Sequence, residues 1–242
     1  MMVSRFLQLW KATLAAVLDL FIPPVCLVCH SHRDGKEGVL CKDCAENLAT
    51  LDSGFCPKCG TPMPEVYCEA CAQVPFCFDF SRSVFRYSEE MKLLIHELKY
   101  NRKPGVARYL ADRMARYLET HPEFSGFDSI AAVPLHTVRM RERGFNQSEL
   151  IARRIAKTLN LEYINAVQRS RYTSSQTRLH REQRLKNLSG AFRLKPKTAG
   201  LSGRSIIVID DIFTTGSTIN EVARILKTAG ADRTAGLTAA RA

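Results

Sequence analysis

The stretch "IIVIDDIFTTGSTINEV", residues 206–222, sets four aliphatic side chains against two adjacent carboxylates, Asp210 and Asp211, and follows them with hydroxyls around a single glycine. An unbroken aliphatic run of this length marks a strand buried on both faces, as in a parallel sheet. From Ser217 onward the apolar positions take helical spacing, so the acids and hydroxyls sit where a strand hands over to a helix. In an open α/β sheet that is where ligands bind, beyond the carboxyl ends of the strands.

Thr214, Thr215, Gly216, Ser217 and Thr218 make a turn with hydroxyls and free backbone N–H groups at a helix N-terminus, which suits a phosphate. Asp210 and Asp211 repel such an anion and must face something else. Ribose hydroxyls fit them, because a carboxylate accepts two hydrogen bonds from a vicinal diol. A 5-phosphorylated ribose satisfies both halves of the stretch.

Working outward, "FSRSVFRYS" and "DSIAAVPL" read as strands, "EEMKLLIHELKY", "GVARYLADRMARYLE" and "NQSELIARRIAKTLN" as helices, and "STINEVARILKTAG" as a helix leading to a last strand, "RTAGLTAAR". Alternation of this kind predicts an α/β fold with a mostly parallel sheet flanked by helices.

The other end of the chain is different. All nine cysteines lie between positions 26 and 77, and eight of them form C-x-x-C pairs: Cys26/Cys29, Cys41/Cys44, Cys56/Cys59 and Cys68/Cys71. Without a secretory signal, such hooks point to tetrahedral zinc rather than to disulfides; an iron–sulfur cluster or redox thiols are weaker readings. Nearest-neighbour pairing assigns the first four cysteines to one ion and the last four to a second, with an interleaved pairing open on spacing alone. Four thiolates close the coordination sphere, so the metal is expected to be structural. Cys77, among Phe76, Phe78 and Phe80, reads as a buried apolar residue.

Ahead of the cysteines, Phe6 to Ile22 is apolar but interrupted by Gln8, Lys11 and Asp19, and Phe6, Trp10, Leu14, Val17, Leu18 and Phe21 recur at helical spacing. The expectation is an amphipathic helix over residues 1–23, with no stable membrane span and a cytoplasmic location. The 242 residues carry a net charge of +11, which points to an anionic partner. Much of the excess lies between Pro134 and Leu188, where only Glu142, Glu149, Glu162 and Glu182 oppose the arginines and lysines. Arg139 and Arg143, just past the strand end at Pro134, are candidate pyrophosphate ligands. "TSSQTRLHREQRLKN", with Arg178, Arg181 and Arg184, reads as a basic loop able to meet pyrophosphate or nucleic-acid phosphates. His96, His136 and His180 have no carboxylate partner visible in the sequence.

"VIDDIFTTGST" resembles the phosphoribosyl pyrophosphate (PRPP) motif of type I phosphoribosyltransferases. "VPLHTVRMRERGFNQSELIA", "SQTRLHREQRLKNLSGAF", "HELKYNRKP" and the cysteine hooks, in that company, resemble the ComF/GntX family over nearly the whole chain. That resemblance implies a zinc ribbon joined to a phosphoribosyltransferase-like domain and an association with DNA uptake and use of external DNA. With the amphipathic helix at 1–23 read from spacing, the expected organisation is a double zinc ribbon at 24–77 and a phosphoribosyltransferase-like domain at 78–242. The resemblance implies ribose hydroxyls on Asp210 and Asp211, the 5-phosphate on Thr214 to Thr218, and Mg2+ accompanying PRPP. The sequence names no catalytic residue, since the incoming substrate in this chemistry brings its own nucleophile.

Three readings of function follow. The first is a DNA-uptake or DNA-utilisation accessory whose pocket binds PRPP or a related ribose 5-phosphate, whose basic surface binds single-stranded DNA, and whose partners include uptake-machinery proteins. The second is a salvage-type phosphoribosyltransferase acting on a free base. The third is a non-enzymatic zinc-ribbon adaptor. An intact PRPP motif does not by itself establish turnover.

Overall fold

A computed structural model describes residues 24–33, 38–51, 54–63, 68–73, 75–171, 190–196, 198 and 200–242. The amphipathic helix expected over 1–23 and the basic segment with Arg178, Arg181 and Arg184 lie outside the described residues. The chain divides between Leu48 and Ala49 into two compact units.

In the first unit, a bridge between Val25 and His32 carries the Cys26–Cys29 turn, closed by the Cys26 N–H on the Ser31 carbonyl at 2.9 Å. The second hook opens α1 (Lys42–Glu46), whose N-cap is Cys41.

The second unit begins with a copy of the same device. Phe55 and Pro62 form the bridge, the Cys56 N–H donates to the Thr61 carbonyl at 2.8 Å, and Cys68 precedes α2 (Glu69–Gln73) while Cys71 lies within it. This ribbon is bonded to the sheet that follows it. The Ser81 N–H donates to the Lys58 carbonyl at 2.8 Å, and Gly60 packs so closely on β1 (Phe80–Arg86) that a Cβ there would stand 2.6 Å from the Ser81 carbonyl oxygen.

After β1 come α3 (Glu89–Tyr100), α4 (Pro104–Thr120), β2 (Ser129–Ala132), α5 (Thr137–Arg143), α6 (Gln147–Leu159), β3 (Glu162–Ile164), β4 (Val167–Arg169), β5 (Phe192–Leu194), β6 (Ser205–Phe213), α7 (Ser217–Thr228) and β7 (Arg233–Arg241). The sheet has the order β1-β7-β6-β2-β3 with every pairing parallel, while β4 and β5 form a separate antiparallel pair. The aliphatic run 206–209 is the middle strand, buried because helices pack on it: α6 on β2 and β6, and α7 on β6 and β7.

Local chemistry sets the helix starts that matter for the site. Ser88 caps α3 by accepting from the Met91 N–H at 3.3 Å, with Glu89 and Glu90 in the first turn and Lys99 in the last. Asn146 caps α6 by accepting from the Ser148 N–H at 3.1 Å, and its own amide donates to the Val133 carbonyl at 2.9 Å. That bond ties the start of α6 to the end of β2.

Three local details were not legible in the sequence. Arg139 and Arg143, expected just past the strand end at Pro134, lie on α5, which His136 caps and Gly144 terminates in the left-handed conformation (φ 84°). Cys77 is half-buried rather than buried, and its N–H donates to Asn220 Oδ1 at 2.6 Å. The short strands β3, β4 and β5, at three residues each, escape sequence patterning because so few positions carry no readable period.

Candidate functional site

Asp210 and Asp211 stand at the carboxyl end of β6, and strand alternation gives them different surroundings. Asp210 Oδ1 accepts from Ser148 Oγ and from the Asp211 N–H, both at 2.9 Å. Asp211, 5% exposed, forms an ion pair with Lys99 Nζ from the last turn of α3, and Gln147 also donates to it. Burial, then the neighbouring Asp211 charge, pushes the Asp210 carboxyl up from its ordinary 3.8 to about 8. Burial acts the same way on Asp211, but the Lys99 ammonium outweighs it and holds that carboxyl below its ordinary value. One acid is therefore proton-bearing near neutrality and the other ionised.

Next to the acids, Arg143 donates to Gln147 Oε1 and its guanidinium lies 5.6 Å from the centre of the Tyr100 ring. Its positive charge is felt at Lys99. Arg139 forms a 3.0 Å ion pair with Glu142 on its own helix. Of the two candidates on α5, the fold thus brings Arg143 to the acids.

Beyond β6, Gly216 takes a left-handed backbone (φ 75°) and is the N-cap of α7, with no side chain capping the helix. Thr215 Oγ1 and Ser217 Oγ are 2.6 Å apart, and the Ser217 N–H points at Thr215 Oγ1 at 3.4 Å. Glycine is required at 216 on two counts: the positive φ, and a Cβ that would stand 2.5 Å from Phe213 Cζ. An uncapped N-terminus of a 12-residue helix, with hydroxyls around it, presents donors to an anion.

Sequence reasoning found the acids and the turn but missed Lys99, Gln147 and Ser148. The only available signal was their presence in "HELKYNRKP" and "GFNQSELIA"; what they touch lies 62 or more residues away along the chain.

The cysteines form two sets. The four sulfurs of Cys26, Cys29, Cys41 and Cys44, and likewise those of Cys56, Cys59, Cys68 and Cys71, lie within 4.8 Å of one another. Adjacent hooks share each set, as nearest-neighbour pairing expects. Sulfurs at about 2.3 Å from a tetrahedral zinc are about 3.8 Å apart. The Cys29–Cys41, Cys56–Cys71 and Cys59–Cys68 separations of 3.6 Å match that edge, so both sets have the chemistry and size of a zinc-ribbon site. Among the described residues no helix is long and apolar enough to cross a membrane.

Family models match two stretches of the chain: a double zinc ribbon domain over residues 17–73 and a phosphoribosyl transferase domain over residues 107–240. The chain is 33% identical to a Salmonella typhi protein called "DNA utilization protein YhgH", over 88% of this chain and 94% of that one. It is 27% identical to "Competence protein F" of Haemophilus influenzae, with 86% and 92% covered, and 26% identical to "Competence protein ComFC" of Streptococcus pneumoniae, with 81% and 84% covered. With the ribbon cysteines in two four-sulfur sets and the acids and turn at the end of the middle parallel strand, the chain belongs to the ComF family of competence and DNA-utilisation proteins, a double zinc ribbon joined to a phosphoribosyltransferase domain.

Proposed function

We propose that the chain binds PRPP, or a related ribose 5-phosphate, with Mg2+ at the end of β6, as a DNA-utilisation accessory that also binds single-stranded DNA. The observation that carries the ligand is the pairing, one turn apart, of two adjacent acids, Asp210 half-buried and Asp211 buried, with an uncapped helix N-terminus. A diol on Asp210 and Asp211 and a phosphate on the amides of Thr214 to Thr218 use both without setting like charges together. Arg143, beside Gln147 and Lys99, is the α5 residue we assign to a pyrophosphate, and Mg2+ would supply the remaining neutralisation of that group.

The net charge of +11 and the names of the relatives support the DNA part. Arg139, Arg153 and Arg154 are engaged with Glu142, Glu149 and Asp112, which shifts the phosphate contacts towards the segment with Arg178, Arg181 and Arg184. A salvage transferase would need the same pocket and no DNA contact.

Calorimetry with PRPP and ribose 5-phosphate, with and without Mg2+, tests the pocket. Asp210→Asn with Asp211→Asn should weaken binding by about tenfold or more, since hydrogen bonds to charged groups contribute about 1.5–3 kcal/mol each. Unchanged affinity would place the ligand elsewhere. For DNA, oligonucleotide affinity should fall steeply with salt, and replacing Arg178, Arg181 and Arg184 together should flatten that slope by about two, at about 0.7 per phosphate contact. Turnover of PRPP and a free base, with no oligonucleotide binding at low salt, would replace this reading by the salvage enzyme.

A further inference from the structure

The anion turn and the second ribbon share a wall. Phe213 closes β6, and the backbone at Gly216 rests on its ring and on that of Phe76: a Cβ at 216 would lie 2.5 Å from Phe213 Cζ and 3.1 Å from Phe76 Cε1. The guanidinium carbon of Arg241, the last residue of β7, sits 4.3 Å from the centre of the same Phe213 ring. The same guanidinium donates to the Cys59 carbonyl at 2.8 Å and to Thr61 Oγ1, and stands 3.9 Å from Cys59 Sγ. The Ala242 N–H donates to the Phe213 carbonyl at 3.0 Å, which ties the end of β7 to the end of β6 beside this contact.

We propose that Arg241 is a positioning residue through which metal occupancy of the second four-cysteine site sets the order of the anion turn at Thr214 to Thr218. Four thiolates around one Zn2+ leave two net negative charges, and a guanidinium beside one of the sulfurs balances part of that charge. The cation is then held flat on Phe213 by both attractions at once. When the metal leaves, the ribbon turn at Cys59 to Thr61 loses its shape, Arg241 loses its anchor, and the ring under Gly216 is freed.

The ligand arm of this inference rests on the phosphoribosyl reading above; the ligand-free arm does not. In the full zinc-loaded chain without ligand, Arg241→Ala should keep its zinc and speed hydrogen exchange at the amides of 214–218 about tenfold, leaving β2 and α6 unchanged. Cys71→Ser, which empties the second site through a half-buried ligand, should raise exchange in the same amides, and the two changes together should do no more than either alone. Arg241→Lys keeps the charge without the flat stack, so it should lie between wild type and Arg241→Ala and gives the result if the alanine variant fails to fold. If wild type binds PRPP, Arg241→Ala should weaken it at least about fivefold, the lower range of coupling between linked sites. Unchanged exchange at 214–218 in zinc-loaded Arg241→Ala or Arg241→Lys, or additive effects of the arginine and cysteine changes, would overturn the proposal. Absence of PRPP binding in wild type would remove the ligand reading and leave the exchange result to decide the coupling.

Discussion

The two ribbons use one local design in two settings. Each has a bridge, a C-x-x-C turn and a left-handed residue just past the second cysteine: His30 (φ 60°) in the first and Gly60 (φ 73°) in the second. In the first, Cys29 and His30 face solvent. In the second, Cys56 and Cys59 belong to the same apolar cluster as Phe76, Phe78, Phe213, Val208 and Ile219. Glycine is needed at 60 because β1 passes 2.6 Å from where its Cβ would be, whereas the exposed turn of the first ribbon tolerates histidine. Identical metal chemistry therefore supplies most of the organisation of one ribbon, and only part of the organisation of the other.

The largest expected break in this comparison comes from removing one ligand of each kind. Cys59→Ala should lower the unfolding temperature of the sheet-bearing unit by about 10 °C or more, since it takes away both a metal and a core contact. Cys29→Ala should cost the chain about one zinc while leaving that transition within about 2 °C. Scanning calorimetry with metal analysis checks both. Equal shifts would mean that the ribbons are embedded alike.

Next in size is Lys99→Met, which strands Asp211 in a buried position. Breaking a buried pair costs about 3–5 kcal/mol. Denaturant unfolding should show the loss in the sheet-bearing unit, with zinc retained at both sites. Smaller again is the exchange of the two turn residues. Gly60→Ala should destabilise by about 1–3 kcal/mol through strain and the clash with Ser81, while His30→Gly should change stability by less than about 1 kcal/mol. A neutral Gly60→Ala would show that the ribbon does not press on β1.

The last effect is one of pH, and it is read as a slope. Asp210 holds a proton up to about 8 when folded and gives it up near 3.8 when unfolded, so the folded unit binds the extra proton between those values. Its stability should fall as pH rises through 5 to 8, with a slope approaching one proton, and Asp210→Asn should flatten that slope. Asp211 has the opposite sign, but its contribution is lost only below its ordinary 3.8, outside the window. Urea midpoints from pH 5 to 8 measure this.

Much of the fold was legible in the sequence where local period carries the information. The aliphatic run before Asp210 became the middle strand, and the helical spacing after Ser217 became α7. The C-x-x-C hooks announced eight thiolates in two sets because each hook is itself a complete two-ligand device. α5 was passed over because its seven residues, "TVRMRER", bury none and so carry no apolar stripe.

What the sequence by itself determined was every feature that neighbours along the chain can specify: the strand-turn-helix with its acids and glycine, the cysteine turns, and the excess of positive charge. Only the tertiary structure decided that Lys99 neutralises Asp211, that Ser148 binds Asp210, and that Arg241 joins Cys59 to Phe213. Those partners are separated by up to 182 residues, and they meet because β7 lies between β1 and β6 in the sheet. Strand order is set by which faces bury best together, a property of the whole packed sheet that no single stretch of sequence contains.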